Sequence, residues 1–171
     1  MVVELISVGT EILMGNILNS NTQYLAEKCA LLGLDQYYQV TVGDNYGRMM
    51  ESVKRALDRS DIVILTGGLG PTEDDMTKEV CAEAMGMELV EDPHTRSQLE
   101  AFFAGNIYKE IPDNNWKMAM VPQGAIVLDN PNGMAPGLIL EKNGKTAILL
   151  PGPPNELYPL FEGQVFPYLE R

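Results

Sequence analysis

The chain has 171 residues, of which 24 are acidic and 12 are lysine or arginine, so its formal net charge is −12 at pH 7. This length favours one domain, residues 1–171, with a substantial hydrophobic core. The negative charge argues against direct nucleic-acid binding, because such a chain would repel a phosphate backbone. No apolar run is long enough to span a membrane, and the first residues lack the basic region of a signal peptide. We therefore expect a cytoplasmic protein that does not bind membranes.

The first half of the chain alternates predicted strands with predicted helices. Apolar or β-branched runs predict strands over residues 2–8, 37–42 and 61–65. Apolar residues at helical spacing, with Asn19 or Ser20 as a candidate cap for the first helix, predict helices over residues 16–33, 48–58 and 74–85. Strands and helices in this order predict right-handed crossovers and a parallel sheet.

The second half has shorter elements and predicts antiparallel strands as well. We expect helices over residues 92–104, 116–120 and 156–166, a polar loop over residues 105–115, and strands over residues 125–128, 137–141 and 146–150. Pro93 suits the first position of its helix, and Asn114 or Asn115 is a candidate cap for the short one. Asn143-Gly144 is a strong hairpin signal. The predicted fold is therefore α/β with a mixed sheet.

A glycine-rich loop follows the predicted central strand. Thr66 is followed by Gly67, Gly68, Leu69 and Gly70, and a helix is predicted shortly afterwards. Glycine allows sharp turns and close approach of a ligand to the backbone, and a helix start attracts anions. The loop matches neither Gly-x-Gly-x-x-Gly nor a loop ending in Gly-Lys-Ser/Thr.

The acidic residues after this loop allow two interpretations. Thr72 and Asp75 have the spacing of a capping box at a helix start. Alternatively, Asp74 or Asp75 binds a metal or transfers a proton beside a phosphate held by the loop. Lys78 likewise either reaches that phosphate or forms a surface ion pair with Asp74.

Four loops follow predicted strands, and each contains glycine and an acidic residue. If the strands are parallel, the loops should line one crevice at the carboxyl edge of the sheet. The crevice would collect the carboxylates of Glu11, Asp44, Asp74, Asp75 and Glu156. Carboxylates beside a phosphate require a cation, so we expect a divalent metal with oxygen ligands, Mg²⁺ or Mn²⁺.

The same loops resemble those of a known family. Residues 7–11, 19–22, 42–45, 66–75 and 150–156 are similar to motifs of the N-terminal domain of the competence/damage-inducible (CinA) family, within the molybdopterin-binding superfamily of MogA and MoaB. The resemblance implies a three-layer α/β/α sandwich with a mostly parallel mixed sheet, and a homo-oligomer. Met118 departs from the family, whose members commonly carry glutamine there. The chain stops at Arg171 without the nicotinamide-nucleotide amidase domain of full-length CinA proteins, either as a stand-alone form or as a piece cut at the domain boundary, so the amidase activity cannot be assigned to it.

The resemblance implies two functions of different kinds. The first is a metal-dependent pyrophosphatase acting on ADP-ribose or a related nucleoside diphosphate compound, using Mg²⁺, Mn²⁺ or Co²⁺. The second is a pterin- or nucleotide-binding domain without hydrolysis, related to molybdenum cofactor biosynthesis proteins. For the first, we predict Asp75, Asp74 and Lys78 as catalytic residues and Asp75, Asp44 and Glu11 as metal ligands.

For either function the predicted ligand contacts lie in the four loops. They are Gly9, Thr10, Glu11, Asp44, Asn45, Thr66, Gly67, Gly68, Leu69, Gly70, Thr72, Pro151, Gly152, Pro153, Pro154 and Glu156.

Overall fold

A six-stranded sheet forms the centre of the computed structural model, which describes residues 1–105 and 110–171. The strands are β1 (Val2–Val8), β2 (Asp35–Val42), β3 (Ile62–Thr66), β4 (Leu89–Glu91), β5 (Met120–Pro122), β6 (Ile126–Leu128), β7 (Gly137–Lys142) and β8 (Lys145–Leu150). The helices are α1 (Thr10–Leu13), α2 (Ser20–Leu31), α3 (Tyr46–Arg59), α4 (Thr77–Ala84), α5 (Pro93–Ala104), α6 (Pro154–Leu160) and α7 (Phe166–Leu169), with a 3₁₀ helix at Asp113–Ala119 and a π-helical turn at Phe161–Val165. Among these described helices, none combines the length and the apolar character needed to cross a membrane.

The strand order of the main sheet is β2-β1-β3-β8-β7-β6, which places β3 in its interior. β1, β2, β3 and β8 are mutually parallel, and β7 runs antiparallel to both β6 and β8. The hairpin between β7 and β8 turns at Asn143 and Gly144, whose φ angles are 53° and 76°, as a tight hairpin turn requires. The prediction of a mostly parallel mixed sheet is confirmed.

Helices cover both faces of this sheet, so the fold has three layers. Side chains of a strand alternate between faces. Val63 and Leu65 of β3 pack in one buried cluster with Val53 of α3, whereas Ile64 packs in another with Leu25 of α2. The three-layer α/β/α sandwich implied by the family resemblance is therefore confirmed.

The helix predicted over residues 16–33 begins only at Ser20, as α2, and the short helix α1, which was not predicted, precedes it. Gly15 between them has a φ of 79°, which ends the first helix. Asn19 caps the second, because its side chain accepts a hydrogen bond from Thr22 N at 3.3 Å. Leu18, which lies within the predicted helix, precedes this cap and is 87% exposed.

Several other boundaries also differ from the predictions. α4 begins at Thr77 rather than near residue 74, because residues 72–75 form a turn of their own. The 3₁₀ helix begins at Asp113 after Pro112, so neither Asn114 nor Asn115 caps it. The antiparallel pair of β4 and β5 was not predicted. Residues 106–109 of the predicted polar loop lie outside the described residues.

Candidate functional site

The loops that follow β1, β2, β3 and β8 line one crevice with a volume of about 950 Å³. They meet there because the carboxyl ends of parallel strands lie at the same edge of the sheet. The predicted ligand-binding residues in the lining are Gly9, Glu11, Asp44, Thr66, Gly67, Gly68, Leu69, Gly70, Thr72, Pro151, Gly152, Pro153, Pro154 and Glu156. Asp74 and Asp75 also line it, whereas Thr10, Asn45 and Lys78 do not.

The glycine loop, residues 67–70, requires glycine for steric reasons. Gly67 and Gly68 have φ angles of 92° and 73°, which other residues rarely adopt. A Cβ at Gly67 would collide with Val8 O, and one at Gly68 would collide with Thr77 Oγ1. Thr77, the first residue of α4, donates its hydroxyl to Gly67 O at 2.8 Å and its N–H to Gly68 O at 3.2 Å. These contacts hold the start of α4 against the loop.

The N–H groups of the glycine loop differ in what they bind. The N–H of Gly67 donates to Leu150 O at 2.9 Å and so extends the pairing of β3 with β8. Within the described part of the chain, the N–H groups of Gly68, Leu69 and Gly70 have no hydrogen-bond acceptor. These three residues line the crevice, so their N–H groups are available to an anion.

The acidic turn, residues 72–75, presents carboxylates beside these amides. Asp75 Oδ2 accepts hydrogen bonds from Thr72 N at 3.0 Å and from Thr72 Oγ1 at 2.7 Å. The pairing resembles the capping box in its hydrogen bonds, but helix α4 begins only at Thr77, so the turn caps no helix. Asp75 also lies against Gly70, since a Cβ there would be 2.7 Å from Asp75 Oδ2.

Two lysines lie behind the acidic turn rather than in the crevice. Lys117 Nζ donates to Thr72 O at 2.8 Å and also to Asp75 O. Lys78 Nζ donates to Lys117 O at 2.5 Å, and its side chain is only 9% exposed. The pKa of Lys78 is lowered to about 8, mainly because the group is buried; the charge of Glu79 opposes this shift and that of Lys117 adds to it. In the described structure Lys78 lies outside the crevice lining and makes no ion pair with Asp74; its hydrogen bond joins α4 to the 3₁₀ helix.

The loops after β1 and β2 are joined to each other by a hydrogen-bond pair. Asp44 N donates to Thr10 Oγ1 at 3.1 Å, and Asp44 Oδ2 accepts from that hydroxyl at 3.3 Å. Asn45 caps α3, because its side chain accepts from Arg48 N at 2.9 Å. In the ranges 1–105 and 110–171, no three His, Cys, Asp or Glu residues are grouped closely enough to hold a metal ion. The predicted ligands Asp75, Asp44 and Glu11 thus share the crevice without forming a ready-made metal site.

The proline-rich loop after β8 is fixed by two asparagines. Asn21 Nδ2 donates to Gly152 O at 2.7 Å, which ties the start of α2 to this loop. Asn130 Nδ2 donates to Glu156 Oε1 at 2.8 Å, so this carboxylate is already engaged. Gly133 must lack a side chain because a Cβ there would overlap Glu156.

An apolar wall that the sequence did not predict completes the crevice. It consists of Ile17, Leu18, Phe102, Met118 and Met134. Met118 is 3% exposed and packs with Leu99, a buried apolar position that suits methionine. The sequence placed Ile17 and Leu18 inside the predicted helix over residues 16–33, so it gave no sign that they line the crevice.

Comparison with known proteins shows which family shares this fold. The family model described as "Probable molybdopterin binding domain" matches residues 4–171. A "Putative competence-damage inducible protein" from Caldicellulosiruptor bescii is 56% identical over 171 residues, which is 100% of this chain and 41% of that protein. One of the same description from Alkaliphilus oremlandii is 51% identical over 168 residues, 98% of this chain and 40% of that protein. The chain thus spans about two fifths of the length of these relatives.

Solved structures agree with these sequence matches. The crystal structure of the protein CinA from Thermoplasma acidophilum has a TM-score of 0.89 and 32% identity, over 96% of this chain and 97% of that one. The molybdopterin biosynthesis enzyme MoaB from Thermus thermophilus has a TM-score of 0.61 over 98% of this chain and 95% of that one, but its 15% identity supports only a shared fold. The chain belongs to the molybdopterin-binding-domain family, among its competence-damage inducible (CinA) members.

Proposed function

We propose that the crevice binds a phosphorylated heterocyclic small molecule of the pterin or nucleotide class. The observation that carries this proposal is the set of three N–H groups at Gly68, Leu69 and Gly70, which line the crevice without an acceptor in the described chain. Successive free amides beside the start of a helix are a common binding site for phosphate oxygens. We therefore assign the phosphate of the ligand to the glycine loop.

The apolar wall supports a ring system at the other end of such a ligand. Phe102 and Met134 provide flat or deformable apolar surface, and methionine packs well against aromatic rings. A crevice of about 950 Å³ is large enough for a mononucleotide or a pterin phosphate. The description of the matching family as a probable molybdopterin binding domain favours the pterin.

Ligand binding can be measured through the single tryptophan. Trp116 packs in the same cluster as Leu69 and Met134, which line the crevice, so its fluorescence should respond to an occupied site. We would titrate the purified protein with molybdopterin, AMP and ADP-ribose, each in Mg²⁺ and in EDTA. Saturable binding of at least one probe is expected. A folded protein that binds none of the three would contradict the proposal.

Metal-dependent hydrolysis of a diphosphate is the second candidate. It is favoured by one observation, the presence of Asp74 and Asp75 in the lining next to the free amides. Mg²⁺ is often held by one or two carboxylates together with substrate phosphates, so the absence of a three-residue site among the described residues is compatible with it. In that case Asp75 would hold the cation, and the cation would offset the charge of the diphosphate.

Release of AMP from ADP-ribose in Mg²⁺, Mn²⁺ or Co²⁺, and its absence in EDTA, tests this candidate. Asp75→Asn keeps an oxygen that can accept from Thr72, so the variant should fold but lose turnover. Glu73→Gln is the matched control, because Glu73 is in the same turn but outside the crevice lining. Equal turnover in the two variants would remove Asp75 from the mechanism, and no turnover in the wild type would leave the binding function alone.

A further inference from the structure

The 3₁₀ helix carries a lysine that holds the acidic turn from behind. Lys117 lies between Trp116 and Met118, and α5 packs against this helix. Its ammonium group donates to two carbonyl oxygens of the same turn, Thr72 O and Asp75 O, and lies 3.8 Å from Glu79 Oε1. Hydrogen bonds from a charged donor are about twice as strong as neutral ones. Two of them on one turn fix its position relative to the 3₁₀ helix.

The position of the acidic turn determines where the Asp75 carboxylate and the Gly70 N–H lie relative to a ligand. The carboxylate of Asp75 is bound to Thr72 within the turn and lies against Gly70. A shift of the turn would therefore move that carboxylate and the N–H of Gly70 together. Phosphate binding by amides depends on their fixed orientation, since amides that must reorganise contribute less.

We propose that Lys117 is a positioning residue: it tethers the acidic turn so that the Gly70 amide and the Asp75 carboxylate are oriented for a phosphorylated ligand. The effect on ligand affinity rests on the proposed function. The tether, which is the pair of hydrogen bonds from Lys117 to the acidic turn, is present in the free protein. Lys117 does not line the crevice, so its ammonium acts through the turn and not by contact with the phosphate.

The chain offers a matched control for this lysine. Lys142 Nζ donates to a single backbone carbonyl, Gly86 O, at 2.7 Å, and neither residue lines the crevice. Lys117→Met and Lys142→Met thus each remove one ammonium group bound to backbone carbonyl oxygen. Only the first removes it from the acidic turn. Lys117→Arg keeps the charge and the donors and should restore part of the effect.

Two measurements test the tether. In the absence of ligand, amide hydrogen exchange at residues 70–76 should become faster in Lys117→Met and stay unchanged in Lys142→Met. In calorimetric titrations with ADP-ribose and Mg²⁺, Lys117→Met should bind about tenfold more weakly, because binding must then also order the acidic turn. Lys142→Met should bind like the wild type, and Lys117→Arg should lie between the two.

The outcomes separate failure of the tether from failure of the proposed function. If the wild type binds the probe and Lys117→Met binds it equally well, Lys117 is not a positioning residue. If the wild type binds no probe, the proposed function fails, and the exchange measurement decides the tether alone. Unchanged exchange at residues 70–76 in Lys117→Met overturns the inference in either case.

Discussion

Burial of Lys78 should make the stability of this protein depend on pH in an unusual direction. Burial lowers the pKa of Lys78 from 10.5 to about 8. Since one pKa unit corresponds to about 1.36 kcal/mol, carrying the charged ammonium group into the fold costs roughly 3 kcal/mol. Below pH 8 both folded and unfolded chains are protonated, so the full cost is present. Between pH 8 and 10.5 the unfolded chain binds more protons, so this group's contribution to stability rises with pH and its cost disappears.

Lys78→Met isolates this contribution from the other groups that titrate in the same range. Urea unfolding of both proteins at pH 7 and pH 10.5 gives the difference in the free energy of unfolding at each pH. We expect the variant to lose roughly 3 kcal/mol relative to the wild type on going from pH 7 to pH 10.5. The hydrogen bond to the 3₁₀ helix affects both measurements and largely cancels. A difference that does not change with pH would show that the ammonium group is hydrated, and would refute the reasoning.

Two further substitutions test the crevice and the core. Gly70→Ala places a methyl group 2.7 Å from Asp75 Oδ2 without backbone strain, so the protein should fold, but the displaced carboxylate should weaken binding of AMP and ADP-ribose. Gly163→Ala, which meets nothing within 4 Å, should bind like the wild type, and equal affinity of both variants would count against a ligand site beside Gly70. Arg59→Met leaves the fully buried carboxylate of Glu4 without its guanidinium partner and should lower the urea midpoint strongly. Arg55→Met, which breaks an exposed pair, should change the midpoint little, and similar midpoints would contradict this.

The sequence predicted the layers of the fold because its signals there are long and periodic. The run that forms β3 is completely buried, and helical apolar spacing identified α3 within two residues of its observed start. β4 and β5 escaped prediction because each has three residues and their pairing joins residues 89–91 to 120–122. Short elements of this kind depend on tertiary contacts, which periodicity does not contain.

The site was predictable to the extent that it depends on topology. Loops at the carboxyl ends of parallel strands must converge, and the glycine loop and the acidic turn do line the crevice. The lysine behind the turn was not predictable in this way. Lys78 is one helical turn after Asp74 in sequence, so it was the natural candidate, whereas Lys117 reaches the turn from 42 residues beyond Asp75. The prediction for Lys78 also depended on a helix that begins at Asp74. The helix begins at Thr77 instead, and Lys78 is buried in its first turn.

The charge of the crevice constrains any phosphorylated ligand. Among the described lining residues there is no lysine or arginine, whereas Glu11, Asp44, Asp74, Asp75 and Glu156 contribute carboxylates. The free amides of the glycine loop supply only partial positive charge, and Lys117 is directed to carbonyl oxygens behind the turn. A diphosphate entering alone would meet net repulsion, so a divalent cation should enter with it whether or not hydrolysis follows. The titrations in Mg²⁺ and EDTA test this directly: binding of ADP-ribose should require the cation, and equal affinity in EDTA would contradict the argument.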